Sequence, residues 1–231
     1  MNNDMTNQHY PLNPIADGLN NQQSLITKNY QSMTSYIDNL FSRHSRLLVV
    51  RIDLAYRKDI DTPFLNDEEI YQKYWQAKVD REHLFRNMRS NSIFNHMIGY
   101  IWRLEYGEDK GFHNHMIFFF DGSQVREDIT IAIKIGEYWV NNITQGRGLY
   151  YNCNAYKDEY QYCGIGMINW NNFELIANLK RAAEYLAKPD DYMTAYMQNM
   201  DIGRTFGRGT IKEKTETRGR PRIQLYQDMI L

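Results

Sequence analysis

Cysteine is nearly absent from this chain: only Cys153 and Cys163 occur among 231 residues. So few thiols argue against a disulfide-stapled secreted scaffold and for a reduced, cytoplasmic protein. Proline is scarce too, with five copies, at Pro11, Pro14, Pro63, Pro189 and Pro221. No apolar run approaches the length of a bilayer span, so no membrane partner is expected. The opening MNNDMTNQ is polar and has no apolar signal core. Charge of one sign is also missing: the net value of −1 argues against a uniformly basic nucleic-acid coat. Local patches are not excluded by a balanced total.

What is present is a globular composition, 42% apolar, 24% charged and 14% aromatic, with 18 tyrosines. The length suffices for one good core. Residues 1–23, rich in Asn and Gln and without a sustained period, read as a flexible arm. From Ser24 to His44, Leu25, Tyr30, Met33, Ile37, Leu40 and Phe41 recur at helical intervals. Arg46 to Tyr56 (RLLVVRIDLAY) is a strand with a core-like apolar run, and Asp53 sits near its end. Residues 57–65 connect it to a helix that opens at Asn66-Asp67-Glu68-Glu69 and runs to about Met88. Asp121-Gly122 is a turn, and a helix from about Val125 to Asn142 follows, with Ile129, Ile133, Trp139 and Val140 in its buried stripe. Short strands are expected at Gly148–Cys153 and Cys163–Ile168. A helix then starts at Asn171 or Asn172 and stops at Pro189, with a short one around Tyr192–Met200.

The segment between these elements, Met97 to Phe120 (MIGYIWRLEYGEDKGFHNHMIFFF), alternates, breaks at a glycine-bounded loop and resumes, which is a hairpin pattern. With the turn centred on Asp109, Glu105 falls opposite His113 and Arg103 opposite His115. Side chains alternate faces along a strand, so Glu105, His113 and His115 share one face. Two imidazoles and a carboxylate converging there form a candidate three-ligand site for a divalent cation, and spacing alone does not choose the metal. An antiparallel hairpin at the centre of alternating strands and helices predicts an α+β fold, one antiparallel sheet with helices packed on it. Residues 24–202 form the expected main domain and 203–231 a basic tail. Between 203 and 222 seven basic residues face two acidic ones: Arg204, Arg208, Lys212, Lys214, Arg218, Arg220 and Arg222 against Glu213 and Glu216.

A second motif, Tyr185-Leu186-Ala187-Lys188, lies late on the last long helix, where residues three apart share a face. A strand, then a strand H-x-H, then a helical tyrosine with a nearby lysine: this order resembles the HUH endonucleases, the rolling-circle replication initiators and relaxases. FNHMIGYIWRLEYGEDKGFHNHMIFFFDG and YCGIGMINW resemble, more closely, replication-type proteins of filamentous phages and enterobacterial prophages, across roughly Arg46 to Gly209.

The resemblance implies a Rep-like sheet (of ferredoxin or RRM type), a Mg or Mn ion on Glu105, His113 and His115, and Tyr185 as nucleophile assisted by Lys188. It implies site-specific nicking and joining of single-stranded DNA through a phosphotyrosine, starting rolling-circle-type replication of a phage or prophage. Single-stranded DNA and origin duplex DNA would be its partners, with a host helicase or polymerase. A non-catalytic DNA-binding regulator of replication or transcription on the same fold is the alternative. Arg181 stands one turn before Tyr185, where some relatives carry a second tyrosine, so a single nucleophile is expected. In the family the residue between the histidines is usually bulky and apolar, because it points to the packed face; here it is Asn114. A buried amide needs partners, so either that face is partly open or the site is altered. Arg218-Gly219-Arg220-Pro221-Arg222 resembles an AT-hook, and with Arg204 and Arg208 would add DNA affinity. A zinc site on Cys153 and Cys163 fits no common spacing, and small buried cysteines are expected instead.

Overall fold

The structure, a computed structural model, describes residues 14–57, 66–107, 110–188 and 203–211, with side chains from Ser24 onward. Residues 1–13, 58–65, the centre of the hairpin turn at Asp109, the expected helix at Tyr192–Met200 and the tail from Lys212 lie outside them.

The chain starts with helix α1 (Pro14–Arg43), which begins upstream of the expected Ser24. Met33, Tyr36, Ile37, Leu40 and Phe41 are buried along it, whereas Leu25 is exposed and takes no part in the core. Strand β1 (Arg46–Tyr56) follows with the expected bounds. Helix α2 (Asp67–Asn87) is closed at its start by a capping box: Asn66 Oδ1 accepts from the Glu69 amide at 3.0 Å and Glu69 Oε2 from the Asn66 amide at 2.9 Å. The hairpin is strand β2 (Met97–Gly107) and strand β3 (Gly111–Asp121). Its register is the one the turn predicts, Glu105 across from His113 and Arg103 across from His115.

Helix α3 (Asp128–Tyr138) starts later than expected and passes into a single wide π-turn over Trp139–Ile143. The buried stripe is Ala132, Ile135, Trp139 and Ile143, while Ile129 and Ile133 face outward. Strands β4 (Gly148–Asn152) and β5 (Gly166–Asn169) are shorter than expected, helix α4 (Phe173–Ala187) is capped by Asn172, and strand β6 (Phe206–Arg208), absent from the expectations, ends the described chain.

The sheet runs β4-β1-β3-β2-β6, with β5 also paired to β1, and every pairing is antiparallel. This is an α+β fold, with helices on both faces of the sheet. Period-two alternation divides the strands between two cores. Leu48, Val50, Trp102, Leu104, Met116, Phe118 and Phe120 pack with α2 and α3. Leu47, Val49, Ile101, Ile117 and Phe119 pack with α1 and α4. At Gly99 helix α1 comes so close that any Cβ would meet the Tyr36 hydroxyl, which accepts the Tyr100 amide at 3.3 Å. Both cysteines are unbonded; Cys153 is buried and Cys163 half-buried. Among the described residues no helix is long and apolar enough to cross a membrane.

Candidate metal centre

On the α1–α4 side, the apolar core stops before the hairpin end of β3, and a polar cluster takes its place. The pleat puts His113 and His115 on this face together with Glu105 from β2 and Asp53 from β1, which pairs with His115. His115 Nε2 lies 3.1 Å from Glu105 Oε2 and His113 Nε2 lies 3.7 Å from it. One ligand atom from each of the three residues falls within 4.8 Å of the others. The imidazoles are buried and stand nearly perpendicular, 4.8 Å between centroids.

The opposite ring nitrogens decide what this cluster can hold. His113 Nδ1 donates to the Gly111 carbonyl at 3.0 Å, and His115 Nδ1 to Asp53 Oδ1 at 2.6 Å. Gly111 takes a φ of 63°, a left-handed turn position suited to glycine, and its carbonyl thereby comes back under the imidazole. With each Nδ1 committed as a donor, Nε2 is the nitrogen each ring could offer to a cation once it is unprotonated, and both face one carboxylate oxygen. Outer partners that fix the tautomer in this way are the usual support of metal-ligating histidines. The group could hold a metal ion. Asp53, at the end of β1, would be such an outer partner.

Without an ion, the same geometry favours a proton on His115. Burial disfavours charge on His115, but the Asp53 and Glu105 carboxylates outweigh it and push its pKa up to about 9. The same contacts hold Glu105 and Asp53 below the usual carboxylate range despite their burial. His113 is pushed down, chiefly by burial, and stays neutral more readily.

Arg103, buried at 3% exposure, links the cluster to helix α4. Its Nε ion-pairs with Glu105 Oε1 at 2.8 Å, leaving Oε2 to the histidines. Its Nη1 donates to the Leu186 carbonyl at 2.9 Å, satisfying one of the orphan acceptors at the helix end. Tyr185, one residue earlier, is thereby held over the cluster. Its hydroxyl donates to Glu105 Oε2 at 3.4 Å, and its ring meets His115 edge-on at 5.8 Å. Partial burial and the Glu105 charge raise the Tyr185 pKa.

Two other residues sit differently from the expectation. Lys188 is the C-cap, in extended conformation just past the helix, so helical spacing no longer aligns its side chain with Tyr185. Its amide donates to the Tyr185 carbonyl, and its side chain is exposed. Arg208 is tied down on α1, donating to Ser32 Oγ at 2.9 Å and lying over the Tyr36 ring. Arg204 is exposed, Arg181 stacks on Tyr162, and Arg218, Arg220 and Arg222 lie outside the described residues.

Asn114 points to the other face, between Leu54 and Leu104 in the register. It is fully buried, so that face is not open, and neither its Oδ1 nor its Nδ2 has a partner among the described residues. Such an orphaned amide costs about 1–3 kcal/mol. The cost falls on the α2–α3 core; the histidine contacts on the opposite face are in place.

A family model described as the YagK/YfjJ C-terminal domain matches residues 9–209. No curated protein and no solved structure matches the chain.

Proposed function

The chain belongs to the YagK/YfjJ C-terminal domain family, one found in enterobacterial prophage proteins, and we propose that it nicks and rejoins single-stranded DNA through Tyr185. The role that goes with this chemistry is starting rolling-circle-type replication of a prophage or phage. One observation carries the reading: the Tyr185 hydroxyl meets the same Glu105 oxygen on which both histidine Nε2 atoms converge. A nucleophile and a cation site then serve one phosphate.

Glu105, His113 and His115 would hold the ion, of magnesium or manganese type; when bound, it supplies Lewis-acid stabilisation of charge on the scissile phosphate. Tyr185 Oη attacks phosphorus as the bond to the departing 3′ oxygen breaks. A 5′-phosphotyrosine and a free 3′-hydroxyl result, and the proton lost by the phenol is balanced by the one the 3′-hydroxyl gains. Arg103 keeps Glu105 and the end of α4 in one frame, so nucleophile and ligands move together. Arg181, stacked on Tyr162, leaves no second tyrosine one turn earlier, which suits a single covalent step per strand.

Incubation with single-stranded origin DNA and Mn²⁺ tests this directly. A protein–DNA adduct that resists denaturation is expected from the wild type and is expected to vanish in Tyr185→Phe, which removes only the hydroxyl. An adduct that persists in Tyr185→Phe reassigns the nucleophile. No adduct with any divalent metal leaves the alternative, a DNA-binding regulator on the same fold.

A further inference from the structure

One charged group on the site face is used neither by the metal cluster nor by the apolar core. Arg51 lies on β1, two residues before Asp53 and on the same face. Its Nε is buried without a hydrogen-bond partner among the described residues, and its guanidinium lies over the Tyr160 ring at 5.8 Å. Asp53, whose carboxyl feels the Arg51 charge, is hydrogen-bonded to His115 instead. Arg51 is half-buried, and a buried Nε left without an acceptor is a donor that an anion could satisfy.

Arg51 forms one wall of a cleft completed by Tyr160, Tyr162, Cys163 and Ala182. Ala182 is three residues before Tyr185, hence on the same side of α4. The cleft therefore lies beside the nucleophile, and the Arg51 charge reaches the Tyr185 hydroxyl. At its mouth the Tyr162 ring is 48% exposed and backed by the Arg181 guanidinium at 4.6 Å. The cleft is open to solvent and its enclosed space, about 10 Å³, takes no more than a water-sized group, so a larger ligand would lie across its mouth.

We propose that a nucleotide of the single strand next to the one being cut lies across the mouth of this cleft, with Arg51 reaching its phosphate and the Tyr162 ring under its base. The proposal rests on the nicking reading for the identity of the strand. A guanidinium and an exposed ring side by side match the two halves of a nucleotide. Neither half requires a particular base, so the contact grips the strand and leaves sequence choice to other residues.

Cys163 makes the test possible without altering the cleft, since it lines the site half-buried while the other thiol, Cys153, is fully buried. The full chain would be treated with N-ethylmaleimide in EDTA, alone, with a short oligodeoxythymidine, and with inorganic phosphate at the same concentration. Anisotropy would confirm that the oligonucleotide is bound. Mass spectrometry is expected to find Cys163 labelled, Cys153 spared, and Cys163 labelling slowed at least about tenfold by the oligonucleotide only. Equal labelling with the strand bound, or no strand binding at all, overturns the proposal, and protection by phosphate alone replaces the strand with a free anion. Arg51→Ala and Tyr162→Ala are each expected to weaken oligonucleotide binding about tenfold, with Arg51→Lys intermediate and Tyr162→Phe unchanged. Wild-type affinity in both alanine variants also overturns it. No cleavage enters these measurements, so absence of the phosphotyrosine adduct counts against the nicking reading alone.

Discussion

The two faces of strand β3 show what one strand does with alternate residues. Facing α2 and α3 are Phe112, Asn114, Met116, Phe118 and Phe120, an apolar row broken by one amide. Facing α1 and α4 are His113, His115, Ile117 and Phe119, polar at the hairpin end and apolar beyond it. At the centre of the first face two polar groups stand apart: Asn114 has no partner among the described residues, and the Arg81 guanidinium lies over the Trp102 ring, its pKa lowered to about 10 chiefly by burial. Buried Asp80, on the same side, is by contrast bonded to Tyr56, Gln76 and Arg147. On the second face, Arg51 aside, the polar groups form a connected set, with Asp53, His115, Glu105, Arg103 and the end of α4 joined by contacts of 2.6–3.1 Å. A lone buried polar group lowers stability, whereas a satisfied network specifies one geometry. The connected set on the second face is the group that could hold a metal ion.

The sharpest way to break the comparison is to remove a ligand. His113→Ala, His115→Ala and Glu105→Ala are each expected to weaken Mn²⁺ binding more than about 100-fold by calorimetry, with the far-ultraviolet circular dichroism unchanged. Near wild-type affinity in all three would dissolve the distinction between the faces. Asp53→Asn should act less strongly, by about 10–100-fold, because it disturbs the tautomer of His115 and leaves the ligand itself in place.

A pH series sharpens the same contrast. The cation competes with the proton on His115, whose pKa in the metal-free fold is about 9, above the ordinary 6.5. Mn²⁺ affinity should therefore rise about tenfold per pH unit toward pH 9 and then level off. The sign reverses for stability of the metal-free protein. The group's folded pKa is raised, so its contribution is complete below pH 6.5 and lost as pH climbs through about 9. Denaturant titrations at several pH values read this directly, and a flat profile would remove the charged His115.

Asn114→Leu probes the other face. Replacing the orphaned amide by an apolar side chain of similar size should stabilise the fold by about 1–3 kcal/mol, seen as a higher Tm, with Mn²⁺ affinity unmoved. A change in metal affinity would mean that the faces are coupled through the strand. The smallest effect belongs to the tail. Truncation must follow Ile211, because β6 pairs with β2 and an earlier cut would unpair that edge. It should lower duplex-DNA affinity and flatten its salt dependence, since fewer phosphates are contacted. Adduct formation on a short single strand should persist.

Local pattern carried most of the architecture. The run of Arg46–Tyr56, the capping residues Asn66 and Glu69, and the glycine-bounded break in the hairpin are short-range signals, and each became the element it implied. The parity of Glu105, His113 and His115 followed from the turn, because side chains alternate strictly once a register is set. Two expectations failed for different reasons. Helix α3 has apolar residues on more than one face, and Ala132, Ile135 and Trp139, at ordinary helical spacing, meet the core in place of Ile129 and Ile133. The extended Lys188 leaves the helix that would have aligned it with Tyr185.

Other features come from parts of the chain far apart in sequence. Nothing near Asp53 announces that it will meet His115, nor does Arg103 announce Leu186; those contacts exist because β1 pairs with β3 and α4 ends over β2. The cleft at Arg51 likewise needs β1, the 160–165 segment and α4 together. Residue order determined which side chains share a strand face, since that depends only on the alternation of a local backbone. Tertiary packing alone decided which of them are satisfied, which are left without a partner, and where the tyrosine stands over the histidines. Those outcomes depend on distances between segments that no local period encodes.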